Sequence, residues 1–167
     1  GVLDGNESAR LNKELVREQR IASSAGAGYD STARGPGMFY LDGTPSEGKT
    51  VGDLETALRA EVEKLIREGV TEEELARVKA QVVAGHVFQL DSMFYQAMQI
   101  GQLESIGMSH RDVDTMLKKL QAVTAEQVRE VAKKYLKDDS LTVAVLDPQP
   151  LEQQKASFAA PPGGLRH

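Results

Sequence analysis

Apolar residues change their spacing several times along the chain, and each change predicts an element. Leu11, Leu15 and Val16 recur at helical spacing within SARLNKELVREQR, and Ser8 is placed to accept a free backbone N–H, which predicts an amphipathic helix over residues 9–20. The next stretch, Ser23-Ser24-Ala25-Gly26-Ala27-Gly28-Tyr29, has almost no side-chain volume. After Gly35-Pro36-Gly37, the residues Met38, Tyr40 and Asp42 alternate with Phe39, Leu41 and Gly43. Two extended segments joined by a glycine-rich loop predict an antiparallel hairpin.

Helical spacing returns at Val51. Leu54, Leu58, Val62, Leu65 and Ile66 mark one face of a helix ending near Gly69, and Thr71 with Glu74 forms a capping box that opens the next. Leu75, Val78, Val82, Val83, Val87 and Leu90 continue into a third apolar stretch, Met93 to Ile106, after a bend near Asp91-Ser92. Ser109 opens a short helix through Leu120, Thr124 with Gln127 repeats the capping box, and Leu141 to Leu146 is expected as a closing strand before Asp147-Pro148. This order predicts an α+β fold, a small antiparallel sheet covered on one face by several helices. The strand of small residues is the anomaly. Glycine weakens a sheet, so its presence points to something approaching the backbone closely: a helix, another strand or a bound peptide.

Composition narrows the chemistry. With 167 residues, 40% hydrophobic and 27% charged, the chain has the makings of one domain with a core. Its net charge of −5, without a clustered basic surface, argues against nucleic-acid binding. The absence of cysteine removes disulfides, thiolate metal sites and cysteine nucleophiles. His86, His110 and His167 lack the spacing of a helical zinc site, and His86 and Asp91 fall on different helix faces. Ser23 and Ser24 do not form a nucleophile elbow. Gly26-Ala27-Gly28 does not lead into a helix as a phosphate cradle would. The terminal Pro-Pro-Gly-Gly has no periodic apolar partners, so residues 149–167 are expected to form a largely disordered tail behind a single domain of residues 1–148.

Several segments in this order resemble the C-terminal, non-catalytic domain of pitrilysin-like (insulinase-type) zinc metallopeptidases of bacteria. They are the S-x-R-L-x-x-x-L-V-R-E start (Ser8 to Glu18), the Gly37-Met38-Phe39 strand opening, the G-V-T-E-E-E-L-x-R-x-K helix start (Gly69 to Lys79), the V-T-A-E-Q-V cap and the closing Leu141-Thr142-Val143. The resemblance implies a substrate-chamber and scaffold domain within a larger clam-shell enzyme, with extended peptides bound by strand addition. It also implies that the strand and helix which precede the Arg10-Leu11 helix in the family are missing here. Zinc and the glutamate base belong to an H-x-x-E-H motif in a catalytic N-terminal domain or homologous subunit, and that motif is absent from this chain, which is expected to hold no cofactor and no metal.

In the family an arginine on the first helix and a tyrosine on the next strand contact substrate. Arg17 falls on the arginine position, whereas Ser23 replaces the tyrosine and one residue is lost, so Arg17 and Ser23 are the candidate substrate-binding residues and no catalytic residue is expected. The resemblance further implies a periplasmic or membrane-associated setting. A sheet of three strands with an open edge would favour a homodimer. Two rival readings stay open: an inactive pseudo-peptidase subunit serving assembly, and an unrelated helical interaction module built on residues 72–106.

Overall fold

The computed structural model describes residues 1–148. The first helix, Leu11–Glu18, is a π-helix. Ser8 does not cap it. The Ser8 N–H instead donates to Asn6 Oδ1 at 2.8 Å, and the helix start is fixed by Arg10 and Leu11 N–H groups donating to the carbonyls of Val2 and Leu3 at 3.1 and 3.0 Å. Leu11 and Leu15 are completely enclosed. The helix ends with Gln19 N–H on Glu14 O, five residues back, and with Arg20 at φ +53°, a left-handed conformation that helix ends usually assign to glycine.

Strand β1, Ala22–Tyr29, pairs antiparallel with β2, Phe39–Pro45, as the spacing predicts. The small residues of the hairpin are now accounted for. Tyr40 stands opposite Gly28 with its ring over it, so that a Cβ at Gly28 would collide with the phenol. A Cβ at Gly43 would lie 3.0 Å from Ser24 O and 3.1 Å from Leu54 Cδ2, the point where the first α-helix presses on the sheet. Gly43→Val is therefore expected to cost about 1–3 kcal/mol by overpacking against rigid backbone, measured as a lower urea midpoint.

Helix α1, Val51–Glu68, opens on a capping box between Thr50 and Asp53 and closes at Gly69, φ +74°. Helix α2, Glu72–Gln89, starts as predicted with Thr71 Oγ1 accepting from Glu74 N at 3.1 Å. The return half of that capping box is missing, because Arg10 takes the Glu74 carboxylate. Helix α3, Met93–Ser105, follows the expected bend and is capped by Ser92; a 3₁₀ turn, His110–Asp112, leads into α4, Val113–Ala122. Helix α5, Ala125–Tyr135, has the full Thr124–Gln127 box.

The core joins the π-helix, β1, α1 and α5 through residues such as Leu15, Ala22, Leu54, Leu65 and Ala132. Two expectations fail. Residues 141–146 form no ladder, and Leu141, Val143, Val145 and Leu146 are exposed, because no sheet edge faces them among the described residues. The sheet there has two strands, not three. The apolar positions read for α2 and α3 are also mostly uncovered: each helix buries one residue, Leu75 or Leu103, while Phe88, Met93 and Phe94 stand at least three-quarters exposed. Residues 149–167, assigned to a tail from their composition, lie outside the described residues.

Candidate peptide-facing surface

Arg17 lies in the last turn of the π-helix, and Ser23 lies just beyond it on β1, the two separated by the reversal at Gln19-Arg20. Both are exposed. Arg17 makes no hydrogen bond or ion pair within the described residues, so its charge is available to an incoming group, but nothing bonds it to Ser23. Ser23 is the extra residue of a β-bulge: Ala22 pairs with Pro45 and Ser24 with Thr44, leaving Ser23 between them. Its hydroxyl donates to Thr44 O at 3.2 Å and more weakly to Pro45 O at 3.5 Å.

Ser23 is therefore not packed under a helix. Ser23→Tyr should be accommodated, changing stability by less than about 1 kcal/mol because only an exposed hydroxyl bond is lost. A thermal melt lowered by more than 8 °C would contradict this placement of Ser23.

At the start of the same π-helix is a charged node that spacing does not reveal. Arg10 grips Glu74 with a fork, Nε to Oε1 at 2.8 Å and Nη2 to Oε2 at 2.7 Å, while Nη2 also donates to Gly69 O at 2.8 Å. One guanidinium thus ties the start of the π-helix to the end of α1 and the first turn of α2. Burial pushes the Glu74 carboxyl upward, but the Arg10 bonds and charge and the nearby Thr71 backbone N–H outweigh it and hold it below the ordinary glutamate value. The Glu74 bonds likewise raise the Arg10 pKa.

Glu61 lies on the core stripe of α1 with Leu54, Ala57 and Leu65, only 5% exposed. Its Oε2 and the Nη1 of Arg10 are buried without a hydrogen-bond partner. Burial raises the Glu61 pKa, with Glu14 and Glu68 adding to the rise and Lys64 and Arg10 opposing it. The apolar reading of this helix took Val62 for the core face. The signal for Glu61 was present in its spacing from Leu54, Ala57 and Leu65.

The histidines do not converge. His86 is half-buried near the end of α2, while the exposed His110 meets Glu104 Oε1 through both Nδ1 and its backbone N–H, at 2.7 and 3.0 Å. His167 lies outside the described residues. Among the described residues, no three or more His, Cys, Asp or Glu side chains form a group that could hold a metal ion.

Residues 1–82 match the family model of the Peptidase M16 inactive domain. An uncharacterized zinc protease of Streptomyces coelicolor is 31% identical over 158 residues, covering 93% of this chain and 33% of that protein. One from Bacillus subtilis is 26% identical over 147 residues, covering 88% and 35%. The chain thus spans about a third of the length of the curated relatives it matches. Among solved structures, a protease from Helicobacter pylori superposes with a TM-score of 0.73 at 21% identity, over 82% of this chain and 33% of that one. An inactive peptidase domain from Bordetella parapertussis gives 0.73 at 18% identity, over 89% of this chain and 80% of that one. At such identities these two establish the fold. The helix starts that carried the resemblance are also the ones that Arg10 and Glu74 join, and over residues 1–82 the chain matches the inactive-domain family of the M16 peptidases.

Proposed function

We propose that this chain is the non-catalytic wall of a zinc-dependent metallopeptidase, which packs against a catalytic N-terminal domain or homologous subunit and helps hold extended peptides for hydrolysis. The match of residues 1–82 to an inactive peptidase domain carries this reading. Support comes from the exposed, unpartnered Arg17 beside a two-stranded sheet. Zinc chemistry belongs to the partner. This chain contributes a cation able to meet a peptide carbonyl or carboxylate, and a surface that excludes water when the halves close. A periplasmic or membrane-associated setting goes with the proposal and is checked by cell fractionation.

The direct test combines the chain with a zinc-bearing peptidase domain that carries the H-x-x-E-H motif and follows peptide cleavage. Hydrolysis is expected to need both parts. Arg17→Ala should leave the melt unchanged and lower kcat/KM about tenfold, roughly 1.4 kcal/mol of transition-state stabilisation. Full activity of the partner alone would remove the proposed role, and an unaltered kcat/KM would remove Arg17 from the substrate surface.

A further inference from the structure

We propose that Asp4-Gly5 is a self-modifying site: the Gly5 nitrogen closes on the Asp4 carboxyl to a succinimide that water opens to isoaspartate, and the change unties β1 from the loop before the π-helix. The inference is independent of the peptidase reading. Asp-Gly occurs twice, at Asp4-Gly5 and at Asp42-Gly43, so sequence alone does not separate the two pairs. Geometry does. The Gly5 N–H donates to Asp4 Oδ1 at 2.6 Å, and Cγ is one bond beyond that oxygen. Gly5 is exposed, sits at φ +130°, and has no side chain to shield its nitrogen. Hydrogen bonds hold both flanks. Before the pair, Arg10 and Leu11 N–H donate to the carbonyls of Val2 and Leu3; after it, Ala9 N–H donates to Asn6 O at 3.0 Å and Asn6 Nδ2 to Gln81 Oε1 at 2.7 Å. The reacting atoms are thus kept together by the fold. Asp42 is placed otherwise. It lies in the β2 ladder opposite Gly26, and its two oxygens reach across the hairpin to within 3.0 and 3.4 Å of where a Cβ on Gly26 would be. The extended strand carries that carboxyl out of the pleat and away from the Gly43 nitrogen.

The reaction needs water alone. The Gly5 nitrogen attacks Asp4 Cγ, a C–N bond forms as a Cγ–O bond breaks, and the departing oxygen leaves as water with the carboxyl proton and the amide proton. Water then adds to one of the two ring carbonyls. Addition at Cγ restores aspartate; addition at the Asp4 main-chain carbonyl leaves the chain running through Cγ, with the old main-chain carbonyl released as a carboxylate. No electrons are exchanged, and the product has the mass of the starting chain. The consequence falls on the sheet, because Asp4 Oδ2 accepts from the Ala27 N–H on β1 at 3.1 Å. Once Cγ belongs to the main chain it carries one uncharged amide oxygen, and the Ala27 N–H loses its ionised acceptor.

The experiment ages the purified chain in heavy-oxygen water, folded and in urea, digests it in ordinary water, and reads isoaspartate and isotope uptake at both Asp-Gly pairs by electron-transfer fragmentation. In the folded chain, conversion at Asp4 is expected to exceed that at Asp42 by about fivefold or more, and in urea, where no geometry separates them, the two should agree within about twofold. Asp4→Glu, which would have to close a six-membered ring, should lose the signal at that position. In the isolated isoaspartate form the Ala27 amide should exchange roughly tenfold faster than in the unaged chain. Equal conversion of the two pairs in the folded chain, or none at Asp4, would overturn the site. Conversion at Asp4 without faster exchange at Ala27 would overturn the release of β1. The comparison of folded with unfolded chain uses no variant, so it decides the matter even where Asp4→Glu folds poorly.

Discussion

Arg10→Met is expected to destabilise the domain by about 3–5 kcal/mol at neutral pH, because it strips a largely buried carboxylate of its partner while leaving the charge in place. The methionine replaces the aliphatic stem, so the loss is not one of packing. What disappears is the fork on Glu74 and the bond to Gly69 O, which together tie three helices at one atom group. Removing both partners should hurt less than removing one, since the double variant Arg10→Met with Glu74→Leu does not leave the Glu74 carboxylate buried and unpaired. The pH profile gives a second check. Glu74 has a folded pKa below its unfolded value, so its stabilisation is present above the unfolded value near 4.5 and is lost as pH falls through the folded one. The deficit of Arg10→Met should therefore be full at neutral pH and shrink in that acid window. A deficit under 1 kcal/mol in urea titrations would show that solvent reaches Glu74 and replaces the guanidinium.

Local signals explain which parts of this architecture could be read beforehand. Thr71 and the Thr124–Gln127 box are caps whose partners lie within three residues, and Gly69 ends α1 through its own φ, so none depends on the rest of the fold. The hairpin is equally local, with short-range pairing and a glycine-rich turn. Legibility fails where a partner is distant. Arg10 and Glu74 are 64 residues apart, and nothing in either segment announces the fork that empties half of a capping box. Leu141 to Leu146 alternates like a strand, but a strand exists only when another offers it N–H and C=O groups, and none does so among the described residues. A π-helix reads like an α-helix in its apolar pattern; its wider hydrogen-bond step shows where Gln19 N–H donates to Glu14 O. The candidate surface was legible as positions and not as geometry. Arg17 and Ser23 lie at either end of the reversal, yet the bulge that gives the Ser23 hydroxyl to Thr44 O depends on register.

Glu61 supplies the opposite experiment, in which removing a charge should strengthen the fold. Its carboxylate occupies a core position on α1, where leucine would continue the stripe of Leu54, Ala57 and Leu65. The attraction of Lys64 and Arg10 does not cancel the cost of burial and of the neighbouring Glu14 and Glu68, since the net shift of Glu61 is upward. Glu61→Leu is accordingly expected to stabilise the domain by about 2 kcal/mol at pH 7.5, and Glu61→Gln by less, because the amide keeps the size but stays polar in a site without partners. The sign with pH is fixed by the same shift. Below the unfolded value near 4.5 the carboxyl is neutral in both states and carries no charge penalty; the penalty grows as pH rises through the raised folded value and is complete above it. The charge-dependent part of the gain should thus be present at pH 7.5 and gone near pH 4, the reverse of the partner-dependent stabilisation at Glu74. Urea titrations of wild type and both variants at the two pH values decide it. If Glu61→Leu is less stable than wild type at pH 7.5, Glu61 is stabilised by its ionic neighbours, and the buried carboxylate is a strut of the Arg10 node rather than a cost to it.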